Sequence, residues 1–279
     1  MELTSGRPEI VVGLIDGPVV VTHPDLAGKN IRKMPGKQRG TCNQAKSTAC
    51  MHGTFIAGIL AGKRGSFAPA ICPGCTLLVR PIFTEMTTGK GQMPSATPEE
   101  LAEAIIETIH AGARIINLSV ALAQPSSKGE RELEEALDYA ARRGVIIVAA
   151  SGNQGTIGSS AITRHPWVIS VVACDSKGRP ISYSNLGSSV GKRGLSAPGD
   201  NITSLGTNEK PFTFGGTSVA TPFITGAIVL LWSEFSTVTA AGVKLAIAHA
   251  HGLRRKAIVP PLLDAWAMYQ IMKSNHERR

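Results

Sequence analysis

The chain has 279 residues, 43% of them apolar and 18% charged, with a formal net charge of +9. This is ample for one large globular domain or two small ones, and no linker, repeat or low-complexity stretch divides it, so residues 1–279 read as a single domain. The basic residues are spread along the chain, with clusters no longer than Arg142-Arg143 and Arg254-Arg255-Lys256, which describes a solvated surface and argues against a nucleic-acid partner.

In chain order, the apolar run Ile10 to Ile15 reads as a buried strand that ends in Asp16 and is stopped by Gly17-Pro18. Small residues from His52 to Leu60 predict a helix that the histidine enters. A strand near 76–82 follows, then a helix from Pro98 to His110, a strand at 114–119, a helix at 129–143 and a strand at 145–150 that runs into Ser151-Gly152-Asn153. Trp167 to Ala173 is strand-like. Gly215-Gly216-Thr217-Ser218 opens an apolar helix from Val219 to Trp232, with Pro222 expected in its first turn, and two helices near 240–250 and 261–273 finish the chain. Strands alternating with helices predict an α/β fold, a mostly parallel sheet covered on both faces in three layers.

Three positions carry chemistry in this arrangement. Ser218 stands at a helix N-terminus, where unpaired N–H groups and the helix dipole favour an incoming anion. Histidine has an unperturbed pKa close to working pH, so a residue of the His52 type suits the removal of a hydroxyl proton. Asp16 ends a buried strand, where open α/β sheets place their sites, and a carboxylate there can hold an imidazole in one tautomer. Each of these residues alone has an ordinary structural explanation, as a cap, a core histidine or a strand end; together they form an acid, a base and a nucleophile.

The ordered segments Leu14-Ile15-Asp16, His23-Pro24-Asp25-Leu26, His52-Gly53-Thr54, Ile115-Ile116-Asn117-Leu118-Ser119, Ser151-Gly152-Asn153, Ser196-Ala197-Pro198-Gly199 and Gly216-Thr217-Ser218 resemble the subtilisin family of serine proteases. The resemblance runs from about Glu9 to about Ile271 and implies the subtilisin-like three-layer fold. It implies Ser218 as nucleophile, His52 as general base and acid, Asp16 as the residue orienting His52, and Asn153 as a side-chain oxyanion donor. It also implies that Ser119, Val120 and Ala121, with Gly152, wall the substrate cleft, and that the segment after Ile82 faces them. Ala121 stands where many members have glycine, and Gln154 takes a pocket-rim position that is acidic in some. With the net charge, this points to neutral or acidic substrate side chains.

The departures narrow the expectation. Residues 61–69 carry no carboxylate where secreted members bind calcium, so no metal or cofactor is expected. No apolar signal segment precedes Glu9, which points to the cytoplasm. Gly17-Pro18-Val19 after Asp16, with Ala49 to Phe55, Arg80 to Phe83 and Pro94 to Leu101, resembles the protease domains of cyanobactin maturation, which act on ribosomal precursor peptides. Macrocyclising members carry a helical cap near the histidine. Thr22 to Cys50 shows a basic stretch, Lys29 to Arg39, and no amphipathic hairpin, so leader removal by hydrolysis is expected, with macrocyclisation or a silent peptide-binding scaffold as alternatives. The partner is then a peptide, with no membrane involved. The polar end, Lys273 to Arg279, fits a tail or a linker to a further C-terminal domain.

Five cysteines leave disulfides, a four-cysteine zinc site and free thiols as readings. A Cys42–Cys50 disulfide stiffening the loop before His52 is expected, pairing being unreadable from spacing alone. Cys72-Pro73-Gly74-Cys75 precedes a strand and not a helix, which argues against thioredoxin-like chemistry. Cys174 reads as a small buried hydrophobe. His23 belongs to its turn, His110 ends a helix, and His165, His249, His251 and His276 read as loop or surface residues.

Overall fold

The computed structural model describes residues 3–26, 30–34, 42–83, 85, 95–122, 130–252 and 256–277. A parallel sheet has the order β2-β3-β1-β4-β5-β6-β7, with β1 Val11–Asp16, β2 Ile31–Lys33, β3 Thr76–Pro81, β4 Ile115–Leu118, β5 Ile146–Ala150, β6 Ile169–Cys174 and β7 Leu195–Pro198. The central strands are apolar at nearly every position because both faces are covered. In β5, Ile146 and Val148 enter one core while Ile147 and Ala149 enter the other, which is the two-residue period of a strand.

The helices divide between the faces. Helix α1 (Thr48–Ala61) and helix α6 (Thr217–Glu234) pack on one side, with α7 (Ala240–Ala250) and α8 (Ala265–Glu277) behind them; α2 (Pro98–His110) and α3 (Arg131–Arg143) cover the other. Helix α2 starts with a complete capping box, Thr97 accepting from the Glu100 N–H while Glu100 reaches back, and Pro98 sits in its first turn. Helix α3 ends at Gly144 in the left-handed conformation, φ 66°. The three-layer α/β expectation is met. Short helices α4 (Ala161–Arg164) and α5 (Ser188–Arg193), strands β2 and β7, and the antiparallel pair β8 (Ile202–Leu205) and β9 (Pro211–Phe214) were not anticipated.

Two helix boundaries move. Helix α1 begins at Thr48, so His52 is its fifth residue and not its entrance. The last helix begins at Ala265 and not near 261, because residues 260–263 run beside β7. There the Ser196 N–H donates to the Pro261 carbonyl and the Leu263 N–H to the Ser196 carbonyl, and two successive prolines cannot supply helix N–H donors. Asp264 then caps α8 by accepting from the Ala267 N–H at 2.8 Å.

Sheet order positions the site. From β1 the chain passes through α1 to β3 on one side, then crosses through α2 to β4 on the other. The carboxyl ends of β1 and β4 therefore flank a topological switch point, the crevice where open α/β sheets bind ligands. Among the described residues, no helix is long and apolar enough to cross a membrane; the 18-residue α6 is instead sheathed by the sheet and α1.

Candidate active site

Asp16, the last residue of β1, is fully buried, and its Oδ1 accepts from the Gly17 N–H at 2.6 Å and from His52 Nδ1 at 2.7 Å. A carboxylate can only accept, so Nδ1 carries the proton and Nε2 is left as an acceptor. Ser218 Oγ lies 3.0 Å from Nε2. Helix α1 approaches the strand end closely enough for this because Gly53 has no side chain: a Cβ there would overlap the Gly17 and Pro18 carbonyl oxygens. The second carboxylate oxygen of Asp16 is buried with no protein partner among the described residues, and Pro18, two residues on, has no N–H to offer it. On the solvent side, Phe214 of β9 meets the His52 ring edge-on at 5.8 Å.

Ser218 is the second residue of α6, so its N–H is one of the helix donors without an internal partner. Asn153 stands opposite. Its Oδ1 accepts from the Thr217 N–H at 2.9 Å and from the Thr217 hydroxyl at 3.0 Å, which fixes the amide orientation and leaves Nδ2 free to donate. The Thr217 hydroxyl in turn accepts from the Gly152 N–H. Gly152 holds φ +106°, and a Cβ on it would strike the Asn185 amide; glycine is required there on both counts. Thr217 was read only as part of a motif, and its role as the clamp on Asn153 had no sequence signal of its own.

Pro222 is the sixth residue of α6, not a first-turn proline. It therefore removes the N–H that would normally bond to the Ser218 carbonyl four residues back. The Ser119 hydroxyl takes that place, donating to the Ser218 oxygen at 3.1 Å. Asn117 Nδ2 donates to Ser119 Oγ at 2.7 Å, and Thr225 Oγ1 donates to Asn117 Oδ1 at 2.9 Å. All these groups are buried, so the chain of bonds ties the end of β4 to the first three turns of α6 in a low-dielectric setting. Ser119 was expected only as a cleft wall.

The cleft itself has a volume of about 430 Å³ and brings together His52, Ser119, Val120, Ala121, Gly152, Asn153 and Ser218. Ile82, Phe83 and Ala96 face Val120 and Ala121 across it, as the segment after Ile82 was expected to; residues 84 and 86–94 of that wall lie outside the described residues. Beside Gln154 and Leu122 a further cavity of about 200 Å³ is lined by Ser151, Ser160, Thr163 and Asn185, hydroxyls and amides without a charge. All the expected site residues thus converge at the carboxyl ends of β1, β4 and β5.

Cys42 and Cys50 form a disulfide with a Cα–Cα distance of 5.5 Å. The Glu85 carboxylate lies beside Cys50 and accepts from the Asn43 N–H at 2.6 Å, but sulfurs bonded to each other carry no thiolate for a metal. Cys72 and Cys75 are free and buried, joined by a hydrogen bond that holds the Cys72 thiol well above its usual pKa and lowers that of Cys75. They precede β3 whereas the disulfide meets Glu85 beyond its other end, about 20 Å away for a six-residue strand. The four cysteines therefore do not converge on one zinc. Cys174 is buried at the end of β6 as expected. Of the histidines, His23 accepts from the Asp25 N–H inside its turn and His110 closes α2. His165 is not a surface residue: it is 8% exposed and bonds Asp138 at 3.2 Å. His249 and His276 lie on helices, and His251 caps α7, accepting from the Asp264 N–H.

The sequence profile of the subtilase family matches residues 7–263. The chain belongs to the subtilase family. A thermophilic serine proteinase from Bacillus sp. (strain AK1) is 33% identical over 233 residues, 84% of this chain and 54% of that protein; subtilisin DY from Bacillus licheniformis is 28% identical over 241 residues, 84% and 81%. The chain spans about half the length of the first of these. Among solved structures, a mutant of the protease domain of PatA superposes with a TM-score of 0.89 at 28% identity over 99% of both chains, and the prenylagaramide maturation protease PagA with 0.83 at 26% over 97% and 96%. The PatG macrocyclase domain, at 21% identity and a TM-score of 0.82 over 98% and 94%, shares the fold. The matched span takes in β1 through β9 and α6, the elements that carry this cleft.

Proposed function

We propose that this chain cleaves a ribosomal precursor peptide, acting as a single domain in the cytoplasm and removing a leader in cyanobactin-type maturation. The observation that carries the reading is the line Asp16–His52–Ser218, with contacts of 2.7 and 3.0 Å, at the edge of an open cleft. In this mechanism His52 Nε2 takes the Ser218 proton as Oγ attacks the scissile carbonyl, and Asp16 stabilises the imidazolium that forms. The Ser218 N–H and Asn153 Nδ2 receive the oxyanion. His52 then protonates the leaving amine, and water, activated by the same imidazole, releases the acyl group.

PatA and PagA, similar at 27% and 26% identity, are maturation proteases, which favours peptide processing over general degradation. The described residues between Asp16 and α1 form the His23 turn and β2, and His52 lines the open cleft, which favours capture of the acyl-enzyme by water. Residues 27–29 and 35–41, part of the basic stretch, lie outside the described residues. The hydroxyls and amides beside Gln154 support small neutral side chains in the adjoining cavity.

Digestion of a precursor peptide followed by mass spectrometry tests the reading. Linear fragments ending at one bond are expected, absent with Ser218→Ala. A core product lighter by one water than the linear peptide would identify a macrocyclase, and failure of a fluorophosphonate to label Ser218 would identify a silent scaffold.

A further inference from the structure

A second polar cavity lies at the other end of the sheet. It has a volume of about 160 Å³ and is lined by Lys192 and Arg193 of α5, Lys244 and Ile247 of α7, Pro166 and Ile169, all near the starts of β6 and β7, whereas the cleft lies at the carboxyl ends of the strands. No carboxylate lines it among the described residues. Lys244 Nζ donates to the Pro166 and Trp167 carbonyls at 3.0 and 2.5 Å and sits 4.5 Å from the centre of the Trp167 ring, so one of its three N–H donors remains. Arg193 donates to the Arg164 carbonyl through Nη2 at 2.7 Å, while its Nε is buried without a partner among the described residues.

Lys244 and Arg193, half-buried side by side with donors unused among the described residues, are costly to keep together. Burial, reinforced by the Arg193 charge, lowers the Lys244 pKa to about 8, and burial also lowers that of Arg193. An anion entering the cavity would accept the spare donors and neutralise both cations, in the manner of charge-assisted hydrogen bonds to oxyanions. We propose that this cavity is a binding site for a small oxyanion, a phosphate or the carboxylate of an acidic residue, held by Lys244 and Arg193 with Lys192 at the rim. The volume, the share of roughly five waters in the liquid, admits either group. The site is independent of the peptidase reading, since it shares no residue with the cleft.

Inorganic phosphate and, separately, a short peptide rich in glutamate are titrated into the intact protein, following the Trp167 indole N–H by NMR. A saturable shift is expected, weakened about tenfold or more in Lys244→Met, whose stem still covers the ring. Should that variant fail to fold, the exposed Lys192→Met is expected to weaken binding by a smaller factor. Peptidase activity of Lys192→Met remains unchanged. Competition between peptide and phosphate for the same signal assigns the carboxylate source; response to phosphate alone assigns the free anion. A shift that never saturates, or one equal in the native chain and both variants, overturns the proposal.

Discussion

Ser119→Ala tests the most consequential contact that the cleft's chemistry hides. The substitution removes a hydroxyl that donates to the Ser218 carbonyl and accepts from Asn117 Nδ2, leaving two buried polar groups short of a partner. The loss of one such pairing in a buried site costs about 1 to 3 kcal/mol. Because the carbonyl belongs to Ser218 itself, relaxation at the start of α6 also disturbs the 3.0 Å contact between Ser218 Oγ and His52. Turnover falls roughly tenfold while KM changes little, since a misaligned nucleophile raises the chemical barrier and not the substrate affinity. Pro222→Ala supplies the control. Alanine restores an N–H four residues after Ser218, so Ser119→Ala costs about 1 kcal/mol less in that background, a coupling read from a double-mutant cycle of urea midpoints and kcat values. If the two substitutions add without coupling, and Ser119→Ala alone leaves stability within about 0.5 kcal/mol, the hydroxyl does not replace the donor that proline removes.

Asn153→Ala lowers kcat by about two to three orders of magnitude with the fold intact, and Thr217→Val, which frees the Asn153 amide to turn, lowers it less; steady-state kinetics separates them. Reduction of Cys42–Cys50, or its replacement by two alanines, lowers stability by about 2.5 kcal/mol in the loop-entropy treatment for a separation of 8 residues, and an unchanged denaturation midpoint under reductant would show that the loop holds without it. Lys244 makes stability depend on pH. Its folded pKa of about 8 is below its ordinary value of 10.5, so the unfolded chain binds more protons between those pH values and stability rises across that window, by about 2 to 3 kcal/mol. In Lys244→Met that rise disappears from denaturation curves recorded between pH 8 and pH 10.5.

Much of the site was legible because its parts are marked locally. A buried strand ending in an acid, a histidine among small residues and a serine after two glycines each carry a signature within ten residues, and the parallel sheet follows from apolar runs of strand length. What escaped the sequence depends on partners far apart. Phe212 and Phe214 lie in a four-residue strand too short for its Phe-Thr-Phe alternation to stand out, yet β9 brings Phe214 against His52, more than 160 residues earlier. Ser119 meets Ser218 across 99 positions, and only the failure of Pro222 to donate, invisible until the helix start is fixed at Thr217, explains why a serine is useful there. The shift of α8 has the same origin: the β7 edge claims residues 260–263 before helix propensity can act.

These long-range contacts explain how the Asp16–His52–Ser218 line is held by mostly buried groups. Helix α6 brings Ser218 to the carboxyl ends of the strands, but its proline leaves the turn beneath Ser218 unable to bond itself. The end of β4 supplies the missing donor through Ser119, and the end of β5 supplies Asn153, clamped by Thr217. Thus the two strands that wall the cleft also fix the helix that carries Ser218. The cleft lining and the alignment of Ser218 are set by the same backbone segments, so a substitution at Ser119 reaches Ser218 through the helix, where its hydroxyl bonds the Ser218 carbonyl.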